Sequence, residues 1–163
     1  MTPLLEFRAA VPAEAPGLSR LAVRAKAHWG YPPAFMQACR QELAVSSRAI
    51  AAPDRHYVVA VEDERIIGFY ALEDQREERI ELGAMFVEPR RIGTGVGRQL
   101  MQRAMVHAAQ LGARRLEIQS DPNALAFYQA AGARCCGERE SESVPGRMLP
   151  LLQLDLSATT APG

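Results

Sequence analysis

The segment Val87-Glu88-Pro89-Arg90-Arg91-Ile92-Gly93-Thr94-Gly95-Val96-Gly97-Arg98 limits the possible folds more than any other stretch of the chain. Arg79 to Val87, before it, reads as a strand. After it, Val96, Leu100, Ala104, Ala108 and Leu111 keep the spacing of an amphipathic helix that Gly112 ends. The first N–H groups of a helix have no internal acceptor and carry the positive end of its dipole. Glycines let a ligand approach the backbone closely and allow positive φ. A strand, a glycine loop and a helix in that order form a device for holding phosphate on backbone N–H groups, and Arg90, Arg91 and Arg98 add charge around it. A tight glycine turn with no ligand is the plainer alternative, and GxGxG alone does not decide between them. The dinucleotide-binding fingerprint differs, because its glycines follow the strand directly and are spaced GxGxxG. Here Glu88 to Ile92 intervene, and the loop follows an antiparallel hairpin.

Charge narrows the ligand. The 163 residues carry 19 Lys+Arg and 19 Asp+Glu, a formal net charge of zero. That balance argues against a general nucleic-acid binder, whose affinity comes from neutralising phosphates. The sole lysine, Lys26, precedes Ala27, so the Gly-Lys-Ser/Thr triplet of a P-loop is missing. No apolar run reaches the roughly 18–20 residues of a membrane helix. Cys39, Cys135 and Cys136 lack the spacing of a disulfide framework or zinc site. A reducing cytoplasm and a GC-rich bacterial genome are the expected setting, with no metal and no membrane. Cys135 and Cys136 straddle two faces of a strand, and one of the pair is expected to be buried and inert.

The remaining elements follow from periodicity and turn chemistry. Leu4 to Ala9 reads as a first strand. Pro12 opens a helical stretch that stops near Gly30, and Ala34 to Leu43 forms a second helix, with Ser46 to Ala51 adding a short turn of helix. His56 to Glu62 and Arg65 to Leu72 read as a hairpin, and Glu73 to Glu78 as a charged turn. Leu116 to Gln119 is a strand, Asn123 to Ala131 a short helix, and Ala133 to Glu140 and Met148 to Leu156 the last two strands. The result is one mixed α/β domain over residues 1–156. The tail, 157–163, lacks packing residues and reads as disordered.

A second motif stands downstream in register: Asn123-x-x-Ala126-Phe127-Tyr128-x-x-x-Gly132. With Val87-Glu88-Pro89 and Gly95-Val96-Gly97, it resembles the GNAT superfamily of acyl-CoA-dependent N-acetyltransferases. The family's Gln/Arg position falls on Ile92, and its aromatic after the second-motif glycine on Ala133. His28-Trp29-Gly30-Tyr31 and Val144-Pro145-Gly146-Arg147-Met148-Leu149-Pro150 also resemble a group of bacterial GNAT proteins.

The resemblance implies the GNAT fold, a mostly antiparallel sheet with a splayed parallel strand pair. Acetyl-CoA is then the acyl donor. Its pantetheine arm would lie beside Met85, Phe86 and Val87, and its pyrophosphate on Ile92, Gly93, Thr94, Gly95, Val96, Gly97 and Arg98. Asn123 and Phe127 would also contact the cofactor, Asn123 being equally suited to cap a helix. Tyr128 takes the family's general-acid position, since a phenol near pKa 10 is protonated at neutral pH; the alternative is a core aromatic. Glu81 is the candidate base, or else the partner of Arg79 or of a cross-strand arginine. Strict alternation groups Glu81 with Gly83, Met85 and Val87 on one strand face. His28 and Glu73 are lesser base candidates. His28, Trp29 and Tyr31 would line the acceptor site or staple two helices together, and Arg147 would pair with an acceptor carboxylate or stay solvated. The implied activity is acetyl transfer to a primary amine of a small or amino-acid-like molecule. A non-catalytic acyl-CoA-binding domain and a protein N-terminal or lysine acetylase are the alternatives. The resemblance leaves a homodimer open.

Overall fold

A computed structural model describes residues 5–159. The elements are β1 (Glu6–Ala9), α1 (Ala15–Ala27), α2 (Pro33–Leu43), α3 (Ser47–Ala51), β2 (His56–Glu62), β3 (Arg65–Arg76), β4 (Arg79–Val87), α4 (Val96–Gln110), β5 (Arg115–Gln119), α5 (Leu125–Ala130), β6 (Arg134–Glu140) and β7 (Met148–Asp155). The expected first strand is present from Glu6; Leu4 lies outside the described residues. Of the tail, Ser157 to Thr159 form a turn anchored by Thr159 N–H to the Leu156 carbonyl at 2.9 Å, and residues 160–163 lie outside the described residues.

All seven strands join one sheet in the order β1-β2-β3-β4-β5-β7-β6. Every neighbouring pair is antiparallel except β4 and β5. The helices cover both faces. Leu100, Met101, Ala104 and Ala108 of α4 and Tyr128 of α5 pack on Ile80, Leu82, Leu116, Ile118 and Leu152. On the opposite face Leu18, Leu21 and Ala22 of α1, Cys39 and Leu43 of α2 and Ile50 of α3 pack on Val59, Val61 and Phe69. The Ser46 hydroxyl caps α3 by accepting from the Ala49 N–H at 3.0 Å.

Two strands differ from the periodicity reading. β3 runs past Leu72 to Arg76, pairing Glu73 with Glu81 and Arg76 with Arg79. Beyond Leu72 it emerges from the core, so its residues lose the apolar alternation that marks a strand. In β6, Cys136 is the extra residue of a bulge between Cys135 and Gly137, on an edge strand that no helix covers. Both cysteines are therefore exposed, and neither is the inert core residue expected.

Candidate active site

The parallel ladder between β4 and β5 holds for only three residue pairs, Arg79–Arg115, Ile80–Leu116 and Glu81–Glu117. From Leu82 to Val87 the edge of β4 facing β5 has no strand partner among the described residues, and the two strands diverge toward their C-terminal ends. This is the expected splay, with Met85, Phe86 and Val87 along it.

The break coincides with an irregularity in β4. Ala71 pairs with Ala84 but Leu72 with Leu82, so Gly83 is an extra, bulged residue. A bulge bends its strand and offsets the side-chain alternation. Ile80, Leu82, Met85 and Val87 face α4, whereas Ala84 and Phe86 face α1–α3. Glu81, between Ile80 and Leu82, shares the α1–α3 face with Ala84 and Phe86. The expected grouping with Met85 and Val87 is incorrect, because simple alternation does not count the bulge.

Glycine at 83 also makes room for Glu73, whose carboxylate occupies the space any side chain at 83 would need. Glu73 and Glu81 are thus cross-strand neighbours at the head of the splay. Burial raises both carboxyls above the usual carboxylate range, and each feels the other acidic groups nearby. Arg139 Nη1 donates to Glu81 at 3.2 Å, so the cross-strand arginine expected of Glu81 is Arg139. Arg79 instead bonds Glu117 at 2.5 Å, and Arg139 bonds Glu117 as well. Among the described residues the one cation paired with Glu73 is Arg55, at 3.9 Å.

At the other end of the splay lies the glycine loop. Gly95 caps α4 with φ 94°, a conformation that favours glycine. Among the described residues, the N–H groups of Gly93, Gly95, Val96, Gly97 and Arg98 have no acceptor, the first helical bond being Gln99 N–H to Gly95 O. Those of Ile92 and Thr94 turn inward to the Pro89 and Arg91 carbonyls, so two of the seven expected loop donors are already engaged. Arg91 pairs with Glu62 instead of facing the loop, while Arg90 and Arg98 are exposed. Five free N–H groups on a helix N-terminus fit a pyrophosphate. Phe127 packs its ring against Gly97 beneath this turn.

Tyr128 is only 7% exposed, and its ring packs in the core edge-on to Phe127. Its hydroxyl has no hydrogen-bond partner among the described residues, yet is not a sealed, unsatisfied atom. Burial, aided by the Asp121 charge, pushes the phenol far above its ordinary range, so it stays protonated. Asn123 is not the cap. Asp121 takes that role by accepting from the Asn123 N–H at 2.8 Å, and the Asn123 amide donates to Asp121 at 2.9 Å and Tyr31 at 3.1 Å.

Tyr31 and Arg147 do come together, but His28 and Trp29 stay outside. Trp29 is 43% exposed and touches His28 edge-on. The Tyr31 hydroxyl donates to Asp121 at 2.8 Å and accepts from Arg147 Nη2 at 2.8 Å. Lys26 donates to Asp121 at 3.2 Å. Phe35 stacks on Tyr31 with ring centroids 4.2 Å apart. Lys26, Phe35 and Asp121 were not among the expected site residues. Phe35 reads from sequence only as part of the apolar face of α2 with Cys39 and Leu43, and nothing local links Lys26 to a residue 95 positions away.

With this geometry in place, comparison with known proteins is decisive for the family. The sequence profile of the Acetyltransferase (GNAT) family matches residues 21–133, and the chain belongs to that family. No curated protein matches. Among solved structures, PaiA N-acetyltransferase from Thermoplasma acidophilum in complex with coenzyme A is 16% identical, with TM-score 0.74 over 93% of this chain and 99% of that one. A ribosomal-protein alanine N-acetyltransferase from Escherichia coli is 16% identical, with TM-score 0.71 over 94% and 95%. A spermidine N-acetyltransferase chimera from Vibrio cholerae is 17% identical, with TM-score 0.71 over 94% and 96%. At these identities the likeness shows the fold.

Proposed function

We propose that this acetyltransferase moves the acetyl group of acetyl-CoA to a primary amine of a small molecule in a ternary complex. The observation that carries the reading is the slot between β4 and β5. It leads from the free N–H groups at the start of α4 to the paired carboxylates Glu73 and Glu81. Acetyl-CoA supplies an activated thioester when bound. The N–H groups of Gly93, Gly95, Val96, Gly97 and Arg98 hold its pyrophosphate. The unpaired edge peptides of Leu82 to Val87 hydrogen-bond the pantetheine amides as an added strand would. A free N–H on that edge would stabilise negative charge on the acyl oxygen.

Glu81 accepts the proton that the attacking amine must lose. A carboxyl raised by burial is a better base than an exposed one. Tyr128 donates its proton to the departing sulfur: its phenol is protonated at neutral pH and its hydroxyl has no partner among the described residues, while burial makes it a weaker acid than a free phenol. The unpartnered hydroxyl supports this role over that of a purely structural aromatic.

The test has two parts. Calorimetry with acetyl-CoA measures binding, and release of free thiol in the presence of an amine panel measures transfer. Binding with transfer is the expected result. Binding without transfer to any small amine or peptide would leave a non-catalytic acyl-CoA-binding domain, and transfer to peptides alone would place the acceptor on a protein. No helix among the described residues is long and apolar enough to cross a membrane.

A further inference from the structure

The cluster around Tyr31 carries two cations and one carboxylate. Asp121 is fully engaged: Oδ2 takes Lys26 and Tyr31, and Oδ1 takes the Asn123 N–H and side-chain amide. Arg147 therefore has no carboxylate partner among the described residues. Its guanidinium sits 4.8 Å from the Phe35 ring centroid and 5.3 Å from that of Tyr31. Among the described residues only Nη2 has an acceptor, the Tyr31 hydroxyl, which leaves Nε and Nη1 without one. A guanidinium held on an aromatic face has little freedom left to lose, and its planar fork matches a carboxylate.

The loop carrying Arg147 is itself fixed. The Ser141 hydroxyl accepts from the Ser143 and Val144 N–H groups at 3.2 Å, and the Arg147 carbonyl accepts from the Ser141 N–H at 2.8 Å. Ser143 is hydrogen-bonded to Glu42 of α2. Glu142, in the same loop, lies near enough to Glu73 for their charges to interact. The loop thus spans from the carboxylates at the head of the splay to the aromatic pair between α1 and α2. Acidic groups lie toward one end of the loop, and at the other stands Arg147, a cation with no carboxylate partner among the described residues.

We propose that the acceptor is an amino-carboxylate, its carboxylate paired with Arg147 on the Tyr31–Phe35 platform and its amine facing Glu81 and Glu73. This rests on the acetyltransferase reading above. The amine nitrogen bonds to the acetyl carbon as the carbon–sulfur bond breaks. The proton leaving nitrogen goes to Glu81 and the sulfur takes one from Tyr128, giving an N-acetylated amino-carboxylate and free coenzyme A.

The experiment is thiol release from acetyl-CoA at fixed pH with the protein amino acids, each beside its carboxamide, and with spermidine. The carboxamides have the less basic amines, so any advantage from the free base favours them. At least one amino acid is expected to exceed its carboxamide in kcat/KM by about 10- to 100-fold, as a hydrogen-bonded charge pair would give. Arg147→Gln should raise KM for that acid and bring the ratio near one, and Arg147→Lys should restore part of it. An equal or better carboxamide or spermidine, a ratio unchanged in Arg147→Gln, or no turnover of any amino acid overturns the inference. Calorimetry with acetyl-CoA on the wild type and Arg147→Gln then shows whether the variant is folded. It also shows whether the proposed function has fallen too.

Discussion

The Tyr31 hydroxyl stands 2.8 Å from the Asp121 carboxylate and ties the α1–α2 junction to the end of β5. Burial raises the Tyr31 phenol above its ordinary range, and the Asp121 bond adds to that, so the donor stays protonated. Tyr31→Phe keeps the stack on Phe35 but leaves Asp121, Asn123 and Arg147 each short of a partner. Denaturant unfolding is expected to show a loss of about 1–2 kcal/mol, since hydrogen bonds to charged groups are among the stronger ones. A change below a few tenths would mean that water replaces the hydroxyl without cost.

Glu117 supports the slot from the β5 side. It is 5% exposed, and burial alone would raise its carboxyl, but hydrogen bonds from Arg79 and Arg139 outweigh that and lower it. A lowered carboxyl contributes stability above its unfolded pKa and loses it as pH falls toward the folded one. Unfolding free energy should therefore decline as pH drops below about 4–5, and Glu117→Gln should flatten that decline. At neutral pH the substitution is expected to cost about 1–3 kcal/mol, less than a fully buried pair because water reaches Arg139.

The acid limb of the rate profile tests the carboxylate pair. Glu73 raises Glu81 by like charge, and Arg139 lowers it. Glu73→Gln should move the acid limb of kcat/KM to lower pH, because the Glu81 anion is no longer repelled. Arg139→Gln should move it to higher pH. Limbs that stay in place in both variants would remove Glu81 as the titrating base.

Tyr128→Phe separates chemistry from packing. Its hydroxyl has no hydrogen-bond partner among the described residues, so stability should change by no more than about 0.5 kcal/mol. Affinity for acetyl-CoA should persist while kcat falls about 100-fold, the lower range of a general acid's contribution. Unchanged turnover would reduce Tyr128 to a core residue.

The sequence was most legible where local rules act alone. The glycine loop, the α4 stripe from Val96 to Ala108 and the β2–β3 hairpin follow from spacing and turn chemistry. At the two motifs that stand in register the backbone was legible, with Gly95 at the head of α4 and Tyr128 on α5. It was not legible where one extra residue or a distant contact decides. Gly83 shifts the face of Glu81, and Cys136 does the same to its neighbours. Lys26 had served only to exclude a nucleotide loop, yet it pairs with Asp121 across the fold. Charged residues from Glu73 onward looked like a turn because a strand leaving its core keeps backbone pairing but no apolar rhythm.

Gly83 also has a consequence for how such a slot can arise or be lost. Because Leu82 and Ala84 already face opposite sides of the sheet, a chain lacking Gly83 would keep every β4 side chain on its present face. Such a strand would be regular and free to pair with β5 through Ile118 and Gln119. The open edge of β4 thus begins where Gly83 interrupts the strand, at a residue the hydrophobic layers do not need.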